Sequence, residues 1–364
     1  MFDPGSLTAL RSALTAFGLG PAQRIEALPG GHIHDTYLVV ASGRTWVVQR
    51  FNERVFPDLI GVMSNIRRVT EHARAKLIAG GIDPARRALR LLPAADGGDF
   101  VRAADGGAYR AFEYVSGSRR WDAAPDPRLA FEAGCAFGEF VALLADLPAP
   151  PLVETIPGFH DTPARQRALL AAYRDDPLGR AAELGAERAF VEARAELAGQ
   201  CARLAEQGAL PRRVTHNDAK LDNVLLDAAD GGALCVVDLD TVMPGYLGYD
   251  FGDLVRTVVC VGAEDERDLS RLGLRLENLT ALGRGYLDPL SGLLEPQERA
   301  TLIDGAHWII LELGMRFLTD HLLGDGYFKV ERPGHNLDRA RAQFQLLREL
   351  ERQREAMLRA FDAL

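Results

Sequence analysis

Residues 214–226 read Val-Thr-His-Asn-Asp-Ala-Lys-Leu-Asp-Asn-Val-Leu-Leu, and residues 234–240 read Leu-Cys-Val-Val-Asp-Leu-Asp. Between them a turn-rich stretch, Asp227-Ala-Ala-Asp-Gly-Gly232, joins two short apolar runs, Val224–Leu226 and Cys235–Val237. The pattern predicts an antiparallel hairpin. Asn223 then enters the first strand at the open end where Asp238 leaves the second, roughly 5 Å away, as cross-strand neighbours are. An amide oxygen and a carboxylate meeting there suit Mg2+, which prefers hard oxygen donors and keeps much of its shell for water and phosphates. Asp218, earlier in the same loop, sits beside the metal without having to bind it.

His216, Asp218 and Asn223 have the spacing H-x-D-x-x-x-x-N of phosphoryl-transfer catalytic loops. In such loops the Asp accepts the acceptor's hydroxyl proton and the Asn holds magnesium. Phosphoryl transfer needs charge neutralised, the acceptor in line and a place for its proton. Asn223 and Asp238 serve the first need as metal ligands, and Asp218 serves the last. Lys220 can reach a γ-phosphate as a point charge. His216 is expected to brace the loop, because a second base so close is not required. Asp-rich turns beside hairpins are commonly plain solvated loops, but three such side chains in register favour a catalytic loop.

The chain has 364 residues and a net charge of -9. That length suits two unequal lobes, and the acidity argues against a nucleic-acid partner. No apolar run approaches a membrane span, and the start, Met1-Phe-Asp-Pro-Gly-Ser, shows neither a basic region nor a cleavage site. Cys135, Cys201, Cys235 and Cys260 form no C-x-x-C pair and read as reduced packing residues in a cytoplasmic protein.

Outward from the hairpin, residues 1–115 read as a small β-rich lobe and 116–364 as a larger, mainly helical one: an α+β, two-lobed, protein-kinase-like plan. Strands are expected at Tyr37–Val40, Thr45–Val48, Arg87–Leu92 and Tyr109–Val115, interrupted by one helix over about Leu59–Ile78. A cleft between the lobes would hold ATP, with backbone groups at Glu113 and Tyr114 offered to the adenine.

Several strings resemble the aminoglycoside phosphotransferase and choline kinase superfamily: His-Asn-Asp-Ala-Lys-Leu-Asp-Asn-Val-Leu, Val-Val-Asp-Leu-Asp-Thr-Val-Met-Pro-Gly, and Tyr249-Asp-Phe-Gly-Asp253. With Gly30–Tyr37, Val47–Asn52, Asn65–Glu71, Gly314–Asp320 and Gly326–Lys329 added, the chain looks most like the N-acetylhexosamine 1-kinases within that group. The resemblance implies ATP-dependent phosphorylation of the anomeric hydroxyl of N-acetylglucosamine or N-acetylgalactosamine. It also implies Asp218 as base, Asn223 and Asp238 as Mg2+ ligands, and His32, Asp218 and Arg316 as sugar contacts. Arg316 shares a helical stripe with Glu312 and Asp320 in an otherwise apolar segment, which points to a cleft.

The chain departs from the kinase plan in one respect. The phosphate-holding lysine of an early strand is absent, since the only lysines are Lys76, Lys220 and Lys329. Gln49 or Arg50 stands there instead, and alternation lets only one of them face the cleft. Glu71, on the following helix, is the candidate partner. Pro29-Gly-Gly31 could bring amides to phosphates, although no G-x-G-x-x-G is present. Asp250-Phe-Gly252 spells a metal-binding triplet, but Asp238 already fills that role; Asp250 and Asp253 are expected to brace the loop or cap a helix over Leu254–Val261. The segment Leu337–Leu364 carries a core-facing apolar stripe, while His160 and His307 read as structural. Alternative acceptors are an amino alcohol such as choline or homoserine, or an aminoglycoside; a catalytically silent nucleotide-binding regulator is the reading from another class.

Overall fold

The computed structural model describes residues 4–28, 33–121, 124 and 126–364. Helix α1 (Pro4–Ala16) leads into strands β1 (Ala22–Ala27), β2 (Asp35–Ala41) and β3 (Arg44–Arg50). Helix α2 (Leu59–Ala79) follows, capped by Asp58 accepting from the Gly61 N–H, and then β4 (Val101–Arg102) and β5 (Ala108–Glu113). These strands form one antiparallel sheet in the order β1-β2-β3-β5-β4.

Alternation along the strands divides the sheet into two faces. Tyr37, Val39, Trp46, Val48, Tyr109 and Ala111 pack with Leu10, Ala13 and Leu14 of α1 and with Phe17 just after it. On the other face, Ala108 and Phe112 join the core of α2 and the helical region. The strand expected at Arg87–Leu92 is not formed: residues 84–88 turn, and only Leu91 makes an isolated bridge, to Phe112. Helix α1 and strands β1 and β4 are additions that the sequence reading did not foresee.

The rest of the chain is mainly helical, giving a mixed α+β architecture with a sheet at the N-terminal end and helices beyond it. In order come β6 (Ser118–Arg119), α3 (Pro127–Leu144), α4 (Thr162–Asp175), α5 (Gly185–Glu192) and α6 (Ala195–Glu206). Then β7 (Arg213–Thr215), β8 (Val224–Asp227), β9 (Ala233–Val236) and β10 (Met243–Gly245) surround the catalytic segment. They are followed by α7 (Leu247–Leu254), β11 (Cys260–Val261), β12 (Gly273–Leu274), α8 (Leu276–Leu287), α9 (Pro296–Leu323) and α10 (His335–Asp362). The expected hairpin is β8 and β9, joined at its edge by β6. The helix expected over Leu254–Val261 ends earlier: α7 gives way to a π-helical turn over Val255–Val259 and then to strand β11. Helix α10 buries Phe344, Leu347, Leu350, Met357 and Phe361, as its periodicity predicts.

Glycines set how closely the helices approach. A Cβ at Gly305 on α9 would overlap the Gly248 carbonyl on α7, and one at Gly252 would overlap the Gly305 carbonyl. This presses α7, which carries Asp250, against α9, which carries Glu312 and Arg316. The four cysteines are free, and burial first of all raises each thiol to about 12, which keeps them inert. Among the described residues no helix is long and apolar enough to cross a membrane.

Replacing Gly305 by Ala is expected to force α7 and α9 apart at a cost of about 1–3 kcal/mol. Thermal denaturation checks this; an unchanged melting temperature would contradict the contact.

Candidate active site

Within the hairpin, Val224 pairs with Val236, and the Val237 N–H donates to the Asn223 carbonyl at 2.9 Å. Val237 thus stands across from Asn223, and Asp238 is the next residue along; it takes a left-handed conformation (φ 64°, ψ 57°) that Asp and Asn tolerate better than most residues. The Asn223 amide donates to the Asp218 carbonyl at 2.9 Å and to its Oδ2 at 3.1 Å. With its N–H2 turned to Asp218, the Asn223 side-chain oxygen is free to accept a cation. Lys220 Nζ lies 2.9 Å from Asp218 Oδ2.

The loop is held from beneath. Asp250 accepts the N–H groups of His216 and Asn217, each at 2.7 Å, which is the bracing role foreseen for it. The fully buried His216 pairs through Nε2 with the Val237 carbonyl at 3.0 Å, and its Nδ1 accepts the Asp218 N–H at 3.3 Å. Its ring also meets Phe137 edge-on. His216 thus spans loop and hairpin, away from any role as base.

Charge distinguishes the three carboxylates. Burial would push Asp218 up, but the Lys220 ammonium outweighs it and leaves the carboxyl below its ordinary range. Lys220 is in turn raised: burial opposes its charge, and Asp218 and Asp238 more than compensate. Asp238 goes the other way, raised by burial and by repulsion from Asp240 and Asp218. Among the described residues it has no hydrogen-bond donor. A half-buried carboxylate repelled by two others, at the same end of the hairpin as an amide oxygen that accepts no hydrogen bond among the described residues, fits a divalent cation. Among the described residues no group of three or more His, Cys, Asp or Glu could by itself hold a metal ion.

The third carboxylate, Asp240, is satisfied within the protein. Arg110 on β5 grips it bidentately, through Nη1 to Oδ1 and through Nη2 to Oδ2 at 2.7 Å. His34 Nε2 stands 3.1 Å from Oδ2, while its Nδ1 accepts the Asn52 N–H at 3.0 Å, so Nε2 carries the hydrogen and donates to Asp240. Burial would raise Asp240, but Arg110 and then His34 hold it well below the carboxylate range. Phe51 and Phe112 flank the guanidinium, each at 5.4 Å. This cluster ties the sheet to the segment that follows Asp238.

Arg110 also resolves the question of Gln49 and Arg50. Gln49 pairs in register with Arg110, faces the same side, and spends its amide accepting from Arg110 Nε (2.9 Å) and donating to Thr36 (3.1 Å). Arg50 falls on the opposite face and pairs with Asp105 at 2.9 Å. Neither offers a free phosphate cation. Glu71 is exposed on α2 and makes no ion pair with either. At the strand end, the Glu113 and Tyr114 N–H groups are already bound to the Arg90 and Thr45 carbonyls, and the Glu113 carboxylate lies near Arg44 and Arg90. Their amides are therefore not available to a base; the Val115 N–H has no acceptor among the described residues. His32 lies outside the described residues.

Arg316 sits on α9 among the rings of Phe159, Tyr327 and Phe328, at 5.4, 5.8 and 5.5 Å, and reaches the Tyr327 hydroxyl at 3.4 Å. It has no ion pair among the described residues. Its stripe neighbours are buried: Asp320 accepts the Tyr327 and Phe328 N–H groups, shaping the loop that carries those rings. Glu312 pairs with His160 at 2.9 Å, and His160 in turn reaches the Asn217 carbonyl. His160, read as structural from the sequence, is therefore part of the catalytic loop's support. A cavity of ≈ 670 Å³ opens behind this support, lined by Asn217, His160, Tyr246 and Tyr249. None of Asp218, Asn223, Asp238 or Arg316 lines it, so the reacting groups face elsewhere.

A sheet region and a helical region meeting at a loop that carries Asp218, Lys220, Asn223 and Asp238 is the arrangement of a small-molecule phosphotransferase. The chain belongs to the phosphotransferase enzyme family (APH), whose model matches residues 24–285. Its fold is similar to that of a microcompartment-associated aminopropanol kinase, at 17% identity over 96% of this chain and 98% of that one, with a TM-score of 0.63. It is also similar to an aminoglycoside phosphotransferase from Alicyclobacillus acidocaldarius (14% identity, 100% and 98% covered, TM-score 0.60). A spectinomycin phosphotransferase solved with ADP and spectinomycin matches at 14% identity over 99% and 98%, with a TM-score of 0.55.

Because Asp238 is raised above its ordinary value of 3.8, its ionisation costs folding stability as pH rises from that value through the raised one. Asp238→Asn, with Asn suited to the left-handed backbone, is expected to melt above the wild type at pH 7 without metal. It should also lose the thermal shift produced by MgCl2. A variant that keeps the full MgCl2 shift would remove Asp238 from the metal site.

Proposed function

We propose that the protein transfers the γ-phosphoryl group of ATP to the anomeric hydroxyl of an N-acetylhexosamine, giving the sugar 1-phosphate and ADP. Asp218 takes the hydroxyl proton as the new O–P bond forms and the bond to the ADP oxygen breaks. Asn223 and Asp238 hold Mg2+, which when bound neutralises charge on the phosphates. Lys220, paired with Asp218 here, is placed to turn to the γ-phosphate; losing that partner would raise Asp218 towards the basicity its task needs. Arg110, the cross-strand partner of Gln49, is fixed by Asp240.

The observation that carries the choice of acceptor is Arg316 in its frame of Phe159, Tyr327 and Phe328. Aromatic faces suit the apolar faces of a sugar ring, and a guanidinium donates to hydroxyl and amide oxygens. A cationic amino alcohol or aminoglycoside would instead want an acidic or aromatic cage without a competing cation. The silent-regulator reading rests on the missing lysine alone, and the intact Asp218, Asn223 and Asp238 set speaks against it. His32 remains a proposed sugar contact by resemblance.

ADP release with N-acetylglucosamine, N-acetylgalactosamine, 1-amino-2-propanol, choline and spectinomycin tests the reading. Turnover only with the amines would overturn the sugar assignment, and turnover with none would leave the regulator. Asp218→Asn should lower kcat by about 100-fold or more while ADP binding, followed calorimetrically, persists. Arg316→Ala should raise the sugar KM at least tenfold with the ATP KM nearly unchanged; equal changes would place Arg316 outside the acceptor pocket.

A further inference from the structure

His160 precedes α4, and each of its ring nitrogens meets an acceptor. Nδ1 lies 2.9 Å from Glu312 Oε1, and Nε2 lies 2.9 Å from the Asn217 carbonyl oxygen. A neutral imidazole has one N–H and one lone pair, and could donate to only one of them. A carbonyl never donates, and the second oxygen of Glu312 is occupied accepting from Thr162 at 2.6 Å. The Thr162 hydroxyl also meets the Tyr249 hydroxyl at 2.7 Å, and the Tyr249 ring lies flat on His160 with centroids 4.5 Å apart and planes 7° apart. The ring is therefore fixed in its plane as well as at both nitrogens.

We propose that His160 is a positioning residue: an imidazolium fastened between Glu312 and the Asn217 carbonyl, holding the peptide that leads into Asp218 in line for phosphoryl transfer. The groups around it are Glu312 and Arg316 of α9, Thr162 of α4, Tyr249 and Asp250 of α7, and the Asn217 carbonyl. Their charges agree with a doubly protonated ring. Burial and, more weakly, the Arg316 charge disfavour the charged ring, but Glu312 and then the Asn217 carbonyl overcome them and raise His160 above its ordinary value of 6.5. Burial would raise Glu312, but His160 and then Arg316 bring it below its own range. Since Glu312 and Arg316 lie one turn apart on α9, the clamp links the helix bearing the proposed acceptor cation to the loop bearing the base. The inference rests on Asp218 as base and is indifferent to which acceptor is phosphorylated.

Two measurements on the full chain test it. In the 15N spectrum of histidine-labelled protein at pH 7, with the His160 signals assigned by their loss in His160→Gln, both ring nitrogens should carry protons. A neutral tautomer overturns the proposal. In kinetics with whichever acceptor is turned over, His160→Gln should lower kcat about 10- to 100-fold, the scale of a misplaced catalytic group, and leave the ATP KM within twofold. The protonated clamp is complete below the ordinary value and is lost as pH rises through the raised one, so wild-type kcat should show an alkaline limb. Glu312→Gln should move that limb to lower pH, and His160→Gln should abolish it. A wild-type kcat and limb in His160→Gln overturns the proposal. Should His160→Gln not fold, an unmoved limb in Glu312→Gln overturns it instead. If no acceptor supports turnover, the phosphotransfer reading falls while the 15N result still decides the state of the clamp.

Discussion

Three carboxylates, Asp218, Asp238 and Asp240, crowd one end of a single hairpin, and the rest of the site follows from how their repulsion is relieved. Asp240 is neutralised from the sheet side by Arg110 and His34, and Asp218 from its own loop by Lys220. Asp238 alone is left without a protein donor among the described residues, in the position where a metal would be most useful. Two carboxylates with fixed partners and a third reserved for a cation give a centre that is stable before substrates arrive and charged where phosphates must bind.

The Arg110–Asp240 pair also joins the two regions of the molecule. Burying an ion pair gives little net stability against an apolar pair, yet removing either partner leaves the other stranded. This pair therefore fixes the sheet relative to the metal-binding segment more than it adds to stability.

Beneath the catalytic loop, α7 and α9 approach through glycines closely enough for Asp250 to cap two loop amides and for Glu312 to reach the loop through His160. The base is thus held at its own backbone, at the preceding carbonyl and by the Asn223 amide. Such over-determination keeps a reacting group within the few tenths of an ångström that in-line transfer tolerates.

The sequence alone determined the hairpin that carries Asn223 and Asp238 at its open end, and the bracing by Asp250, because these depend on short-range spacing and turn chemistry. It also determined the sheet-then-helix order, through the change of periodicity near Ser116. It could not find Arg110, His34, Asp240 or His160 as site residues. Arg110 and Asp240 lie 130 positions apart, as do His34 and Asp240 at 206 and His160 and Glu312 at 152. Charge pairing over such separations has no local signature; the one available hint was an arginine within the otherwise apolar stretch 108–112. Strand alternation correctly required that only one of Gln49 and Arg50 face the cleft, but which face the cleft lies on is set by where α1 and α2 pack. Glu71 failed for a similar reason: a helical position near a strand says nothing about which side of the helix is covered. What tertiary structure decided was which buried charges meet, and that is a property of packing, where an uncompensated charge is costly enough to select its partner from anywhere in the chain.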